Sequence, residues 1–140
     1  MSDKTKKITL KGRKVIGGVA EGEALVSKMP LMGWGNVNVE GGYTVERNHP
    51  LIGVPFKGKV LVFTEPRGSG GFVGYGRTRQ FDKNPAAFIY RKGNNLTIFA
   101  AMNMKVPTVT DFDRDPVEVI ETGDYVKVDG DRGIVEVLKK

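Results

Sequence analysis

A short apolar run, Lys59-Val60-Leu61-Val62-Phe63, feeds directly into Thr64-Glu65-Pro66-Arg67-Gly68-Ser69-Gly70-Gly71, and this junction constrains the chain more than any other stretch. The run reads as a buried strand. A glycine-rich turn at the end of a strand brings backbone N–H groups close to whatever binds there. Arg67 can grip a carboxylate or phosphate through two parallel hydrogen bonds. Ser69 offers the only side-chain hydroxyl between Arg67 and Gly71. Two readings stand side by side: a reacting or binding loop, or a tight turn that needs glycine for its backbone angles. The following Phe72-Val73-Gly74-Tyr75-Gly76 turns into helix or loop.

Glycine and proline punctuate the rest of the chain in the same way. With 19 glycines and 7 prolines in 140 residues, short strands and many turns are favoured over long helices. That length suits one domain with a modest core. A hydrophobic content of 39% with 27% charged residues belongs to a globular protein, not a disordered one. Cysteine is absent, so disulfides are excluded and this chain alone cannot build a cysteine-ligated zinc or iron–sulfur centre.

The net charge of +6 resides partly in the ends, in Lys4, Lys6, Lys7, Lys139 and Lys140, which read as solvated tails. Arg77, Arg79, Arg91 and Lys92 gather only loosely near Tyr75, Phe81 and Tyr90, so no nucleic-acid partner is expected. No apolar run reaches the roughly 18 residues of a membrane helix. The lysine-rich start lacks the apolar stretch of a signal peptide. No membrane association and a cytoplasmic location are expected. Residues 1–7 are expected to form a disordered lead, and 8–140 a single domain.

Along the chain, residues 8–10 and 13–16 alternate as half-exposed strands, and 13–27 reads as two strands joined by the Gly17-Gly18 corner. Residues 29–50 form a long excursion without helical period, and such loops tend to be functional or mobile. It carries the only tryptophan, Trp34, and the only histidine, His49. Trp34 can line a ligand site or plug the loop down. His49 can act as base, phospho-carrier or metal ligand, or simply as a hydrogen-bonding loop residue. Residues 85–90 read as a strand, 94–104 as a helix capped by Asn94 or Asn95, and 106–110 as a second strand parallel to the first. Asp111, Asp113 and Asp115 could mimic a metal loop, but lack the calcium-loop spacing and read as a solvated turn. Residues 124–128 and 133–137 alternate strictly and form a β-hairpin.

Several of these segments together resemble a known family. Arg13-Lys14-Val15-Ile16-Gly17-Gly18, Ala20-Glu21-Gly22-Glu23-Ala24-Leu25-Val26-Ser27, Trp34-Gly35, His49-Pro50-Leu51, residues 58–63 and Arg67-Gly68-Ser69 occur in the order found in the small subunit, or swivel domain, of aconitase X. The resemblance spans roughly residues 10–138. It implies an α/β, strand-rich fold: a swivelling β/β/α domain with a small barrel-like sheet core and flanking helices. It implies a hydro-lyase subunit that dehydrates a hydroxy acid, active only with a separate, cysteine-bearing large subunit. That partner would hold an iron–sulfur cluster or other metal, and this chain none. The resemblance makes Ser69 the catalytic residue, with Arg67, Gly68, Gly70 and Gly71 binding substrate or supporting an oxyanion, and Trp34 and His49 as possible lining residues. Family members act on mevalonate 5-phosphate or cis-3-hydroxy-L-proline, and the substrate stays open between such acids. Two rival readings remain: a swivelling phospho-carrier domain with His49 as carrier, and a binding or scaffolding subunit without chemistry.

Overall fold

Four apolar residues in a row cannot occupy a half-exposed strand, because successive side chains point to opposite faces. Val60 to Phe63 meet this by being buried on both sides. Val60 and Val62 enter one apolar cluster, Leu61 and Phe63 another. Residues 87–90 do the same, with Ala87 and Ile89 on the first side and Phe88 and Tyr90 on the second. These two strands are the wall between two cores.

The computed structural model describes residues 6–32, 37–67, 72–93 and 97–140. Its strands are β1 (Lys7–Lys11), β2 (Arg13–Ile16), β3 (Val19–Val26), β4 (Leu31–Met32), β5 (Val37–Asn38), β6 (Tyr43–Thr44), β7 (Val60–Phe63), β8 (Pro66–Arg67), β9 (Ala87–Tyr90), β10 (Thr108–Thr110), β11 (Tyr125–Asp129) and β12 (Ile134–Leu138). The helices are α1 (Val73–Arg77), α2 (Thr97–Met104) and α3 (Pro116–Val119), with a 3-10 turn at Thr78–Phe81.

Eight strands form one sheet in the order β1-β12-β11-β3-β7-β9-β10-β2. Neighbours β3, β7, β9 and β10 run parallel, and the other pairs are antiparallel. The edge strands β1 and β2 are consecutive in sequence, separated only by Gly12. Cα atoms about 3.8 Å apart along the chain force those edges together, so the sheet curls into a barrel-like core. Hydrogen bonds seal the seam: Gly12 N–H donates to Gly133 O (2.8 Å), Asp113 N–H to Lys11 O (2.8 Å) and Gly130 N–H to Gly18 O (2.7 Å). Gly130 is needed there, because a Cβ would collide with the carbonyl oxygen of Ile16.

Inside the curl lie Leu10, Val60, Val62, Ile89, Val109, Val126, Val128, Val135 and Val137, with Val117 and Ile120 from and just after α3. On the outer face of β7 and β9, Phe63, Phe88 and Tyr90 pack against Phe72, Tyr75, Met104, Leu31, Leu51 and Phe56. The layers are therefore sheet, sheet and helix, with α1 and α2 in contact. Gly76 permits that contact, since a Cβ would strike the Asn103 carbonyl.

The elements follow the sequence pattern with instructive differences. The hairpin pairs Tyr125 with Leu138 and Asp129 with Ile134. β9 and β10 are parallel, as the strand–helix–strand spacing predicts. The helix between them is described from Thr97, and its expected cap at Asn94 or Asn95 lies outside the described residues. The excursion has strands of its own: β5 pairs with β6 inside it, and β4 pairs with β8 beyond it. Of the expected lead, residues 1–5 lie outside the described residues, whereas Lys7 already pairs with Leu138 in β1. Nor does the C-terminus behave as a solvated tail. Lys139 Nζ binds the fully buried Asp124 carboxylate, Glu121 at 3.1 Å and the Val119 carbonyl at 2.7 Å.

Candidate active site at the carboxyl end of the parallel strands

In sheets with parallel strands, ligands gather beyond the carboxyl ends, where connecting loops converge. Here β3, β7, β9 and β10 deliver Ser27, Thr64, Arg91 and Asp111 to one edge. The glycine-rich loop leaves from β7, inside this set.

The residues that flank the loop are well anchored. Before it, β8 pairs with β4, Leu31 opposite Pro66 and Met32 opposite Arg67. After it, Phe72 is 1% exposed and adopts φ 63°, a left-handed conformation unusual for a bulky residue. Its ring is held by Tyr75 at 4.8 Å and Phe63 at 6.3 Å between centroids. A backbone strained by roughly 1–3 kcal/mol persists only where packing over-determines it, and this ring cluster supplies that packing. Arg67 itself is exposed, and among the described residues its ion-pair contact is a long one, 3.9 Å to Glu65. Ser69, Gly68, Gly70, Gly71 and Trp34 lie outside the described residues.

The connection after β9 is tied to the same strand. Arg91 N–H donates to Phe63 O (3.0 Å) and Lys92 N–H to Thr64 O (3.2 Å). Gly93 N–H donates to Asp111 Oδ1 (2.9 Å), while Arg13 Nε and Nη2 bind Oδ2 at 2.9 and 2.5 Å. These contacts, the Gly93 bond foremost, hold the Asp111 carboxyl below the usual carboxylate range against the upward pull of partial burial. Each acid of the 111–115 turn has such a partner: Asp113 Oδ1 accepts from Lys11 N–H (3.0 Å), and Asp115 Oδ1 from Val117 N–H (3.0 Å) at the start of α3. The turn is a hydrogen-bonded corner. Among the described residues, no three His, Asp or Glu side chains converge as metal ligands.

Two features of the edge were not legible in the sequence. The hydroxyls of Thr64 and Tyr90 are buried with no partner among the described residues. Burial pushes the Tyr90 hydroxyl well above its ordinary pKa, so it stays protonated. Ser27, which closes the Ala20–Ser27 run, is 1% exposed and contacts His49.

His49 does not stand at the surface; it is 2% exposed. Its Nδ1 accepts from Leu51 N–H at 3.0 Å, and its Nε2 lies 3.1 Å from Pro30 O. A phospho-carrier histidine must reach a phosphoryl donor with a free ring nitrogen, and this geometry does not provide one.

Comparison with known proteins gives a consistent result. The profile of the aconitase X swivel domain matches residues 9–137. The phosphomevalonate dehydratase small subunit of Methanosarcina mazei is 40% identical over 136 residues, covering 95% of this chain and 93% of that one. That of Thermococcus kodakarensis is 38% identical over 133 residues, covering 93% and 96%. The crystal structure of Thermococcus kodakaraensis aconitase X in its holo-form superposes with a TM-score of 0.85 at 34% identity, covering 94% of this chain and 99% of that one. A solution structure of a UPF0107 protein matches with a TM-score of 0.81 at 30% identity, covering 94% and 100%. With the fold and nearly the whole length in agreement, this chain belongs to the aconitase X swivel-domain family.

Proposed function

We propose that this chain is the small subunit of a phosphomevalonate dehydratase and supplies the proton-exchanging serine, Ser69, to a site shared with a cysteine-bearing large subunit. The observation that carries this reading is the placement of Arg67. It lies two residues before Ser69, on a strand paired with β4 at the carboxyl edge of the parallel sheet, and its side chain is exposed.

Loss of water from mevalonate 5-phosphate takes a proton from the carbon beside the carboxylate and hydroxide from the next carbon. A serine hydroxyl is far too weak an acid to serve as base unless its alkoxide is stabilised. The Arg67 guanidinium, with backbone N–H groups supplied by Gly70 and Gly71, takes that task. The proton moves to Ser69 Oγ, and with the departing hydroxide it makes up the water released. The chain lacks cysteine, and among the described residues no three His, Asp or Glu side chains converge as metal ligands. The iron–sulfur cluster or other metal is assigned to the large subunit, and no step on this chain runs through it. The location that accompanies this reading is cytoplasmic. Among the described residues no helix is long and apolar enough to cross a membrane.

The test is turnover of mevalonate 5-phosphate by the reconstituted pair. Ser69→Ala should lower it by roughly 10²–10⁴-fold or more while leaving the melting temperature of the small subunit unchanged. Normal turnover in that variant removes Ser69 from the mechanism. Turnover of cis-3-hydroxy-L-proline in place of mevalonate 5-phosphate would correct the substrate.

A further inference from the structure

The buried His49 has a specific connection to the site. Leu51 N–H donates to Nδ1, so that nitrogen carries no proton and the neutral ring bears its hydrogen on Nε2. The Nε2–H therefore donates to Pro30 O at 3.1 Å, with Ser27 Oγ at 3.4 Å as a longer second contact. Ser27 Oγ in turn bonds both the N–H and the C=O of Met29, each at 3.0 Å. The turn from β3 into β4 is thus fastened from two sides.

The Pro30 carbonyl and the Leu31 N–H belong to one planar peptide unit. The carbonyl accepts from His49, and the N–H donates to Glu65 O at 3.2 Å. A single rigid plane therefore joins the imidazole to the backbone two residues before Arg67. It also sets the start of β4, the strand with which β8 pairs. Bonds on both sides of one peptide polarise each other and strengthen together.

We infer that His49 is a positioning residue: through the Pro30–Leu31 peptide it fixes β4 against β8, and so fixes the placement of Arg67. This inference rests on the dehydratase reading of Arg67 and Ser69. A displacement of about 1 Å at a catalytic group can cost on the order of 10²-fold in rate, so a modest loosening of β8 is readable in kcat.

The experiment compares His49→Ala, His49→Gln, Ser27→Ala and the His49→Ala/Ser27→Ala double variant in the reconstituted two-subunit enzyme, at a temperature where each is folded. Val135→Ala, in the barrel interior, serves as a stability control. The expected result is a fall in kcat of about 10- to 100-fold for His49→Ala, with partial recovery in His49→Gln, whose amide N–H can reach a carbonyl. The losses of His49→Ala and Ser27→Ala should be less than additive in log kcat, because both loosen one turn. Val135→Ala should lower the melting temperature without lowering kcat. Where His49→Ala does not fold, the His49→Gln and Ser27→Ala variants carry the same comparison. Wild-type kcat in His49→Gln and Ser27→Ala, or a kcat loss in Val135→Ala matching theirs, overturns the positioning role. Failure of the underlying reading looks different: Ser69→Ala would then turn over normally, whatever the His49 variants do.

Discussion

The most informative single residues are those whose burial and chemistry disagree. Tyr90 is fully buried at the end of β9, yet its hydroxyl finds no partner among the described residues. A buried unpaired polar group costs about 1–3 kcal/mol, while its ring is retained by Phe63 at 4.9 Å and Phe88 at 5.7 Å. Tyr90→Phe keeps those ring contacts and removes the orphan. It should therefore raise the stability of the isolated chain by about 1 kcal/mol, read as a higher midpoint in urea. A lower midpoint would mean that the hydroxyl is already satisfied. Residue chemistry of this kind is poorly legible in sequence. The Arg67-Gly68-Ser69 loop stands out because glycine, arginine and serine are unusual together. Nothing beside Tyr90 or His49 announces which groups will be buried or bonded. His49 reads as a loop residue, and its neighbours Ser27 and Pro30 come from 22 and 19 positions away.

Among elements, legibility follows the periodicity. The hairpin of β11 and β12 alternates strictly and folds as read, and β7 and β9 are apolar throughout because both their faces are covered. α3 escaped notice, although Asp115 followed by Pro116 is a helix-start signal: the Asp115 side chain accepts from Val117 N–H, and proline takes the first turn. Its four residues are too few for a helical period. The end of β12 depends on a contact that no local pattern announces. Lys139 reaches back to Asp124, Glu121 and the Val119 carbonyl, clamping the strand to the connection between α3 and β11. Burial pulls the Asp124 carboxyl upward. The Lys139 ammonium and the N–H donors of Glu121 and Lys140 outweigh it and hold the group below its ordinary value. A carboxyl whose pKa is lowered in the folded state contributes stability above its unfolded pKa of about 3.9, and loses it as the pH falls through the folded value. Lys139→Met should therefore cost about 2–4 kcal/mol at neutral pH. The deficit should shrink as the pH drops below roughly 4. A deficit that stays constant down to pH 2 would show that Asp124 is not the partner that matters.

For the whole molecule, the swivel architecture explains how a chain of 140 residues without cysteine can be half of an enzyme. A barrel-like core closed by Gly12 and the β11–β12 hairpin gives a rigid body. A second, aromatic core behind β7 and β9 anchors Phe72, the residue that follows the loop, against Phe63. The fold class and the family were legible because the matching segments run through almost the entire chain. The closure of the sheet was less so, since pairing between distant strands leaves only weak traces in one sequence. The division of labour leads to the most direct measurement: titration of the purified large subunit with this chain, following mevalonate 5-phosphate dehydration. The account predicts no turnover from either subunit alone, activity that rises to a plateau at equal stoichiometry, and competitive loss of that activity when the Ser69→Ala chain is added. Turnover by the large subunit alone, or a Ser69→Ala chain that activates it as well as the wild type, would contradict the account.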